Sequence, residues 1–200
     1  MPPFCHFESP TSGLTRADYS STCRRHWFTQ DLLNNSNKKR LIQMKLALGA
    51  DHAGFPMKGP VVEYLKSQGH DVTDYGTHSE DPVDFPDIAQ RVTSAILSGE
   101  AERGILVCGT GVGAAIAGNK VPGIRAALTH DTHCAHQGVE HDDVNLICMG
   151  AWIIGIEVAK EVLDAFVNAK FSSDPDFRRR VDKLSEMERS YAEQLVKLSK

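Results

Sequence analysis

No run of apolar residues in this 200-residue chain approaches the roughly 20 needed to cross a bilayer. The longest, around Ile105–Val107 and Trp152–Ile156, are only a few residues each, so a membrane-spanning role is not expected. Basic residues are not in excess either: 22 Lys and Arg against 26 Asp and Glu give a net charge of −4 and a pI near 6.1. That balance offers no electrostatic footprint for nucleic acid, although a pocket needs only a few local cations to take an anionic small molecule. The five cysteines form no CxxC pair and no dense framework, and an apolar secretory h-region is missing. Reduced thiols in a cytoplasmic protein are the expectation, each either a small buried side chain or a reactive one. The histidine-rich run His130-Asp131-Thr132-His133-Cys134-Ala135-His136 has no HExxH or comparable ligand spacing. As neighbours, His133 and Cys134 would diverge by about 100° on a helix. No metal site is expected. A histidine near this run, His141 above all, is a candidate pocket acid.

What is present is an ordinary globular composition, 41% hydrophobic and 24% charged. The text changes character at Met44. Residues 1–43 are rich in Ser, Thr, Asn and Arg, show no sustained period and are mildly basic, which reads as a disordered leader. Residues 44–200 read as the folded domain. There, short apolar runs alternate with amphipathic stretches. Strands are expected over Lys45–Ala50, His70–Tyr75, Gly104–Cys108, Ile124–Thr129 and Val144–Met149. Helices are expected over Pro56–Gln68, Phe85–Leu97, from the GTGVG turn to Asn119, over Asp131–Val139, over Ile153–Phe171 and over 174–198. Strands separated by helices need crossover connections, so the sheet should be mainly parallel with helices on both faces. Ligands of such sheets sit beyond the carboxyl ends of the strands. That rule selects Asp51-His52, the Thr77–Phe85 loop, Cys108–Gly113 and Thr129–His133.

The most informative segment is Cys108-Gly109-Thr110-Gly111-Val112-Gly113. A strand runs into a glycine-rich turn that opens a helix, so several backbone N–H groups can converge on one anion. A thiol at the strand's last position stands beside that nest, which should lower its pKa and make the thiolate available. A base beside an anion hole suits proton abstraction next to a carbonyl, whose enediolate intermediate carries charge on oxygen. The same residues also fit the dinucleotide pattern GxGxx[G/A], with Asp131 about twenty residues on. Local pattern alone leaves both readings open. Against the second, two βα units precede the glycine turn and no separate substrate domain is evident. Asp51 and His52 pair a carboxylate with an imidazole at the first strand's end, where they suit acid–base handling of hydroxyls. Arg178-Arg179-Arg180 could supply anion contacts or simply be a solvated basic stretch.

With these residues assembled, Met44 to about Tyr191 resembles the ribose-5-phosphate isomerase B family, which includes the galactose-6-phosphate isomerase subunits. The matching text is GADHAGFPMK, the Asp74–Thr77 loop, GILVCGTGVGAAIAGNKVPGIRAAL and VEHDDVNLICMG. The resemblance implies a Rossmann-like three-layer α/β sandwich on a five-stranded sheet, with an extended C-terminal helix. It implies a cofactor-free aldose–ketose isomerase of carbohydrate metabolism, acting on a small sugar or sugar phosphate of the pentose phosphate type. It also implies a homodimer, or a tetramer, with the active site at the subunit interface. By the same likeness Cys108 shuttles the proton, and Thr110 with the amides of Gly109, Gly111, Val112 and Gly113 steadies the enediolate. Asp51 and His141 help open the sugar ring, while His52, Asn119, Asp142 and Arg180 belong to the substrate pocket. Four departures bear on the substrate. Phe85 stands where the family has tyrosine, and Asp142 replaces an asparagine. Trp152 and Asp176 occupy positions that usually carry arginines. A related isomerase for a different or unphosphorylated sugar is therefore the alternative.

Overall fold

The computed structural model describes residues 43–198. The expected leader, 1–43, lies outside the described residues apart from Gln43. Five strands, β1 (Lys45–Ala50), β2 (Asp71–Asp74), β3 (Arg103–Cys108), β4 (Ala126–Leu128) and β5 (Leu146–Gly150), form one sheet in the order β2-β1-β3-β5-β4. Every pairing is parallel. The central strands are apolar on both faces: Leu46–Ala50 and Leu146–Gly150 are buried throughout, as a parallel sheet covered on both sides requires.

Six helices are described: α1 (Phe55–Ser67), α2 (Phe85–Leu97), α3 (Val112–Gly118), α4 (Thr132–Asp142), α5 (Ile156–Asn168) and α6 (Pro175–Leu198). One face of the sheet packs Met57, Val61 and Leu65 of α1, Ala135 and Val139 of α4, and Val162, Leu163 and Phe166 of α5. The other packs Ile88, Ala89 and Val92 of α2 with Ala114 and Ala115 of α3. The result is a three-layer Rossmann-like α/β sandwich. The long α6 buries only Val181. The Glu188 carboxylate on α6 accepts the Gly123 N–H at 3.0 Å.

Most element ends differ by one to three residues from the sequence expectation, and two of the shifts have a visible cause. The helix expected from Ile153 begins at Ile156, because residues 150–154 fold into a tight turn in which the Ile153 and Ile154 N–H groups both donate to the Gly150 carbonyl. The strand expected from Ile124 begins at Ala126, because the Arg125 N–H is taken by the Asn145 side chain before the ladder starts.

The topology fixes where a ligand can bind. After β1 the chain turns to α1 on one face, and after its neighbour β3 it turns to α3 on the other. Between those diverging connections a crevice opens at the strands' carboxyl ends, the general binding position of open α/β sheets.

Candidate active site

Asp51 and Cys108 stand on either side of that crevice. Ala50 pairs with Val107 in the ladder, so Asp51 and Cys108 are the next pair, at the tips of adjacent strands. The Asp51 N–H still donates to the Val107 carbonyl, 3.2 Å away. Asp51 is buried, 6% exposed, and its Oδ1 accepts the Gly54 N–H at 2.9 Å. The Asp51 carboxylate and the Gly109 and Gly111 amides all lie close enough to the Cys108 sulfur to act on its pKa.

The thiol's pKa runs opposite to the sequence expectation. Burial pushes it up, and the hydrogen bond to Asp51 and that residue's negative charge add to the rise; the two glycine amides act the other way and do not prevail. A motif displays the amides but not the buried carboxylate across the crevice. The structure thus couples the candidate base to an acid–base partner instead of storing it as a free thiolate.

The glycines act through close approach. Gly111 holds φ +81°, the left-handed conformation that lets the chain turn sharply into α3. A Cβ on Gly54 would lie 2.1 Å from the Val107 carbonyl oxygen, so only glycine lets α1 start this close to β3. Just before Gly111 the turn carries the Thr110 hydroxyl, which accepts the Val112 N–H at 3.3 Å. The Phe85 ring packs where Gly113 leaves room, 3.0 to 3.3 Å from the position of an added Cβ. His52 is exposed, and its Nδ1 accepts the Val83 N–H at 3.3 Å, which ties the 77–84 loop to the end of β1.

Sequence reasoning left three groups unassigned: Lys58 and His130, which brace this tip, and Phe177, which lies at the other end of the sheet. Lys58 is buried on α1, donates to Asp74 at 2.6 Å and to the Thr77 carbonyl, and lies over the Phe55 ring. It holds the β2–α2 loop, whose Thr77 N–H returns to the Ala50 carbonyl at 2.6 Å. A lysine on the apolar stripe of α1 was the available signal. His130 Nε2 accepts the Gly150 N–H at 2.9 Å, which orients the turn after β5. Phe177 stacks on His141 with ring centroids 3.9 Å apart; nothing in the spacing of these two residues reveals it.

The remaining expected site residues lie elsewhere in this chain. α4 starts near the carboxyl end of β4 and runs back about 16 Å, so His141 and Asp142 sit at the amino end of the sheet. His141 is sandwiched toward α6 by Phe177, over which Arg180 also lies, 5.5 Å from the ring centroid. The Asn119 side chain exchanges hydrogen bonds with Ala126, at 2.8 and 2.9 Å, and so pins the first residue of β4. Asn119 and Asp142 line a groove between that edge and α6. One chain therefore assembles Asp51, His52, Cys108, Thr110 and the glycine amides, and holds the others apart from them, Asn119 and Asp142 along the groove and His141 and Arg180 against Phe177. Among the described residues no group of three or more His, Cys, Asp or Glu side chains is arranged to hold a metal ion. No helix among them is long and apolar enough to cross a membrane.

A doubly wound sheet with a thiol and a carboxylate at its switch point, beside a cradle of main-chain donors, offers a crevice of the kind that binds small polar molecules. Comparison with known proteins makes this specific. Residues 46–184 match the family model described as Ribose/Galactose Isomerase. The chain is 38% identical to ribose-5-phosphate isomerase B of Escherichia coli (strain K12) over 144 residues, 72% of this chain and 96% of that protein. It is 42% identical to D-erythrulose-4-phosphate isomerase of Pectobacterium atrosepticum over 130 residues, 64% of this chain and 85% of that protein. The solved structure of Clostridium thermocellum ribose-5-phosphate isomerase B superposes with a TM-score of 0.72 at 40% identity, covering 74% of this chain and 99% of that one. The chain belongs to the ribose/galactose isomerase family, and it is an enzyme of the aldose–ketose isomerase class.

Proposed function

We propose that the protein interconverts an aldose and a ketose of a small sugar or sugar phosphate, without a cofactor, using Cys108 as the base. The Cys108 sulfur takes a proton from the carbon next to the carbonyl, and the electron pair moves onto oxygen to give an enediolate. The amides of Gly109, Gly111, Val112 and Gly113 and the Thr110 hydroxyl hold that oxygen's charge. The same sulfur returns the proton to the neighbouring carbon. Asp51, in contact with the thiol, receives its proton as the base is generated and exchanges protons with the substrate hydroxyls. His52 bounds the pocket on the β1 side. In a dimer with the site at the interface, His141 serves ring opening, and Asn119, Asp142 and Arg180 complete the pocket from a second copy.

The observation that carries this reading is the Cys108 sulfur set between the Asp51 carboxylate and the Gly109 and Gly111 amides. Family membership favours proton transfer over dinucleotide binding for the same glycine turn. The test is isomerisation of four- to six-carbon sugars and their phosphates in D2O by the full chain. Deuterium is expected on the carbon that receives the proton, and Cys108→Ala should lower kcat by about 10³-fold or more. Turnover that survives the substitution, or that proceeds without solvent exchange at that carbon and leaves Cys108→Ala active, refutes the proposal.

A further inference from the structure

The turn after β5 lies directly against the candidate catalytic turn. The Ala151 N–H donates to the Cys108 carbonyl at 2.8 Å and the Trp152 N–H to the Gly109 carbonyl at 3.0 Å. From the other side, the Gly150 N–H is fixed by His130. These bonds hold the Trp152 indole across Gly109, where an added Cβ would lie 2.8 to 3.0 Å from three atoms of its six-membered ring. Held at its base, Trp152 is nevertheless 72% exposed. A large aromatic surface kept open to water, fixed by main-chain bonds and one residue from the base, is costly unless something covers it.

Resting on the isomerase reading of Cys108, we infer that Trp152 is a specificity-determining platform that takes the C–H face of the substrate's carbon chain. The indole face is the negative region of its quadrupole, and sugar C–H bonds present small positive charges to it. It offers no positive charge and only one N–H donor, so an uncharged carbohydrate segment is held here better than a phosphate oxygen. The side chains nearest the Cβ positions of Gly109, Gly111 and Gly113 are those of Trp152, Leu128 and Phe85, none of them cationic. Trp152 thus biases the enzyme toward substrates that lay a carbon chain, and not a phosphate group, on the indole.

The test measures kcat, KM and calorimetric binding for ribose, ribose 5-phosphate, erythrulose and erythrulose 4-phosphate with the full chain and its Trp152 variants. Trp152→Ala should raise KM for the free sugars about tenfold with kcat much less affected, and Trp152→Phe should restore most of the loss. Trp152→Arg should move the ester-to-free-sugar ratio of kcat/KM at least about tenfold toward the ester. A ratio unmoved in both Trp152→Ala and Trp152→Arg overturns the inference. So does a Trp152→Ala protein whose oligomeric mass changes while its sugar binding does not, since Trp152 would then be an interface residue. Failure of the isomerase reading shows separately, as full turnover by Cys108→Ala while the Trp152 variants still alter binding. If none of the four sugars binds, both fall.

Discussion

The behaviour of one sulfur depends on two opposing neighbours. Amides of Gly109 and Gly111 favour the Cys108 thiolate, while burial and the Asp51 carboxylate favour the thiol, and the latter pair prevails. The thiolate fraction should therefore climb with pH through a range above that of an ordinary cysteine. Asp51→Asn removes the negative charge that faces the sulfur, so the Cys108 pKa should fall. Alkylation by iodoacetamide, followed at the Cys108 peptide by mass spectrometry across pH, reads this independently of turnover. Its midpoint should move to lower pH in Asp51→Asn; an unchanged or higher midpoint would show that Asp51 does not govern the thiol. The sequence alone points to a lowered pKa because nearest neighbours in the chain are the amides. Asp51 is a neighbour only through the β1–β3 register.

At the scale of elements, the junction of β1 with α1 sets the width of the crevice. Gly54 lies where a Cβ would meet the Val107 carbonyl oxygen at 2.1 Å, whereas Gly59, one turn into the same helix, has nothing within 4 Å of its Cβ position. Gly54→Ala should therefore cost about 3 kcal/mol or more, because backbone must move, and lower Tm by roughly 6–12 °C. Gly59→Ala should stabilise by about 0.5–1 kcal/mol through helix propensity. Thermal unfolding of the two variants checks the pair, and equal effects would place the constraint elsewhere. The strand–helix alternation behind this junction is legible in the sequence because a parallel sheet buries continuous apolar runs such as Lys45–Ala50, and α2 shows its Ile88, Ala89 and Val92 stripe at helical spacing. Element ends are less legible, since Arg125 leaves β4 for a bond to Asn145 and Gly150 collects two N–H groups before α5 can start. Lys58 and His130 escape notice for a related reason: their roles depend on Asp74 and Gly150, which only the fold brings to them.

At the scale of the molecule, the expected site residues fall into two groups at opposite ends of the sheet. Asp51, Cys108 and Thr110 sit at the carboxyl tips, while His141 and Arg180 flank Phe177 near the amino end, beside α6. An eleven-residue helix cannot bend back on itself, so no rearrangement within one fold unites the groups. If both serve one reaction, two copies must be related so that the tip of each receives the His141 cluster of the other. A two-fold axis does this twice, once per site. The exposed apolar residues Val112, Ile116 and Leu128 beside the glycine turn give such an arrangement a surface to bury. The consequence is complementation. Cys108→Ala and His141→Ala homodimers should each be nearly inactive, the first more severely. Unfolded together in equal amounts and refolded, they should form about half heterodimers, each with one intact site and one doubly substituted site. The mixture should then recover roughly a quarter of wild-type specific activity. Recovery requires exchange, so mixing without unfolding should give less. If the refolded mixture stays at the level of its inactive parents while light scattering shows dimers, His141 does not act across an interface. Its stacking on Phe177 would then be a packing contact that holds α6 to α4.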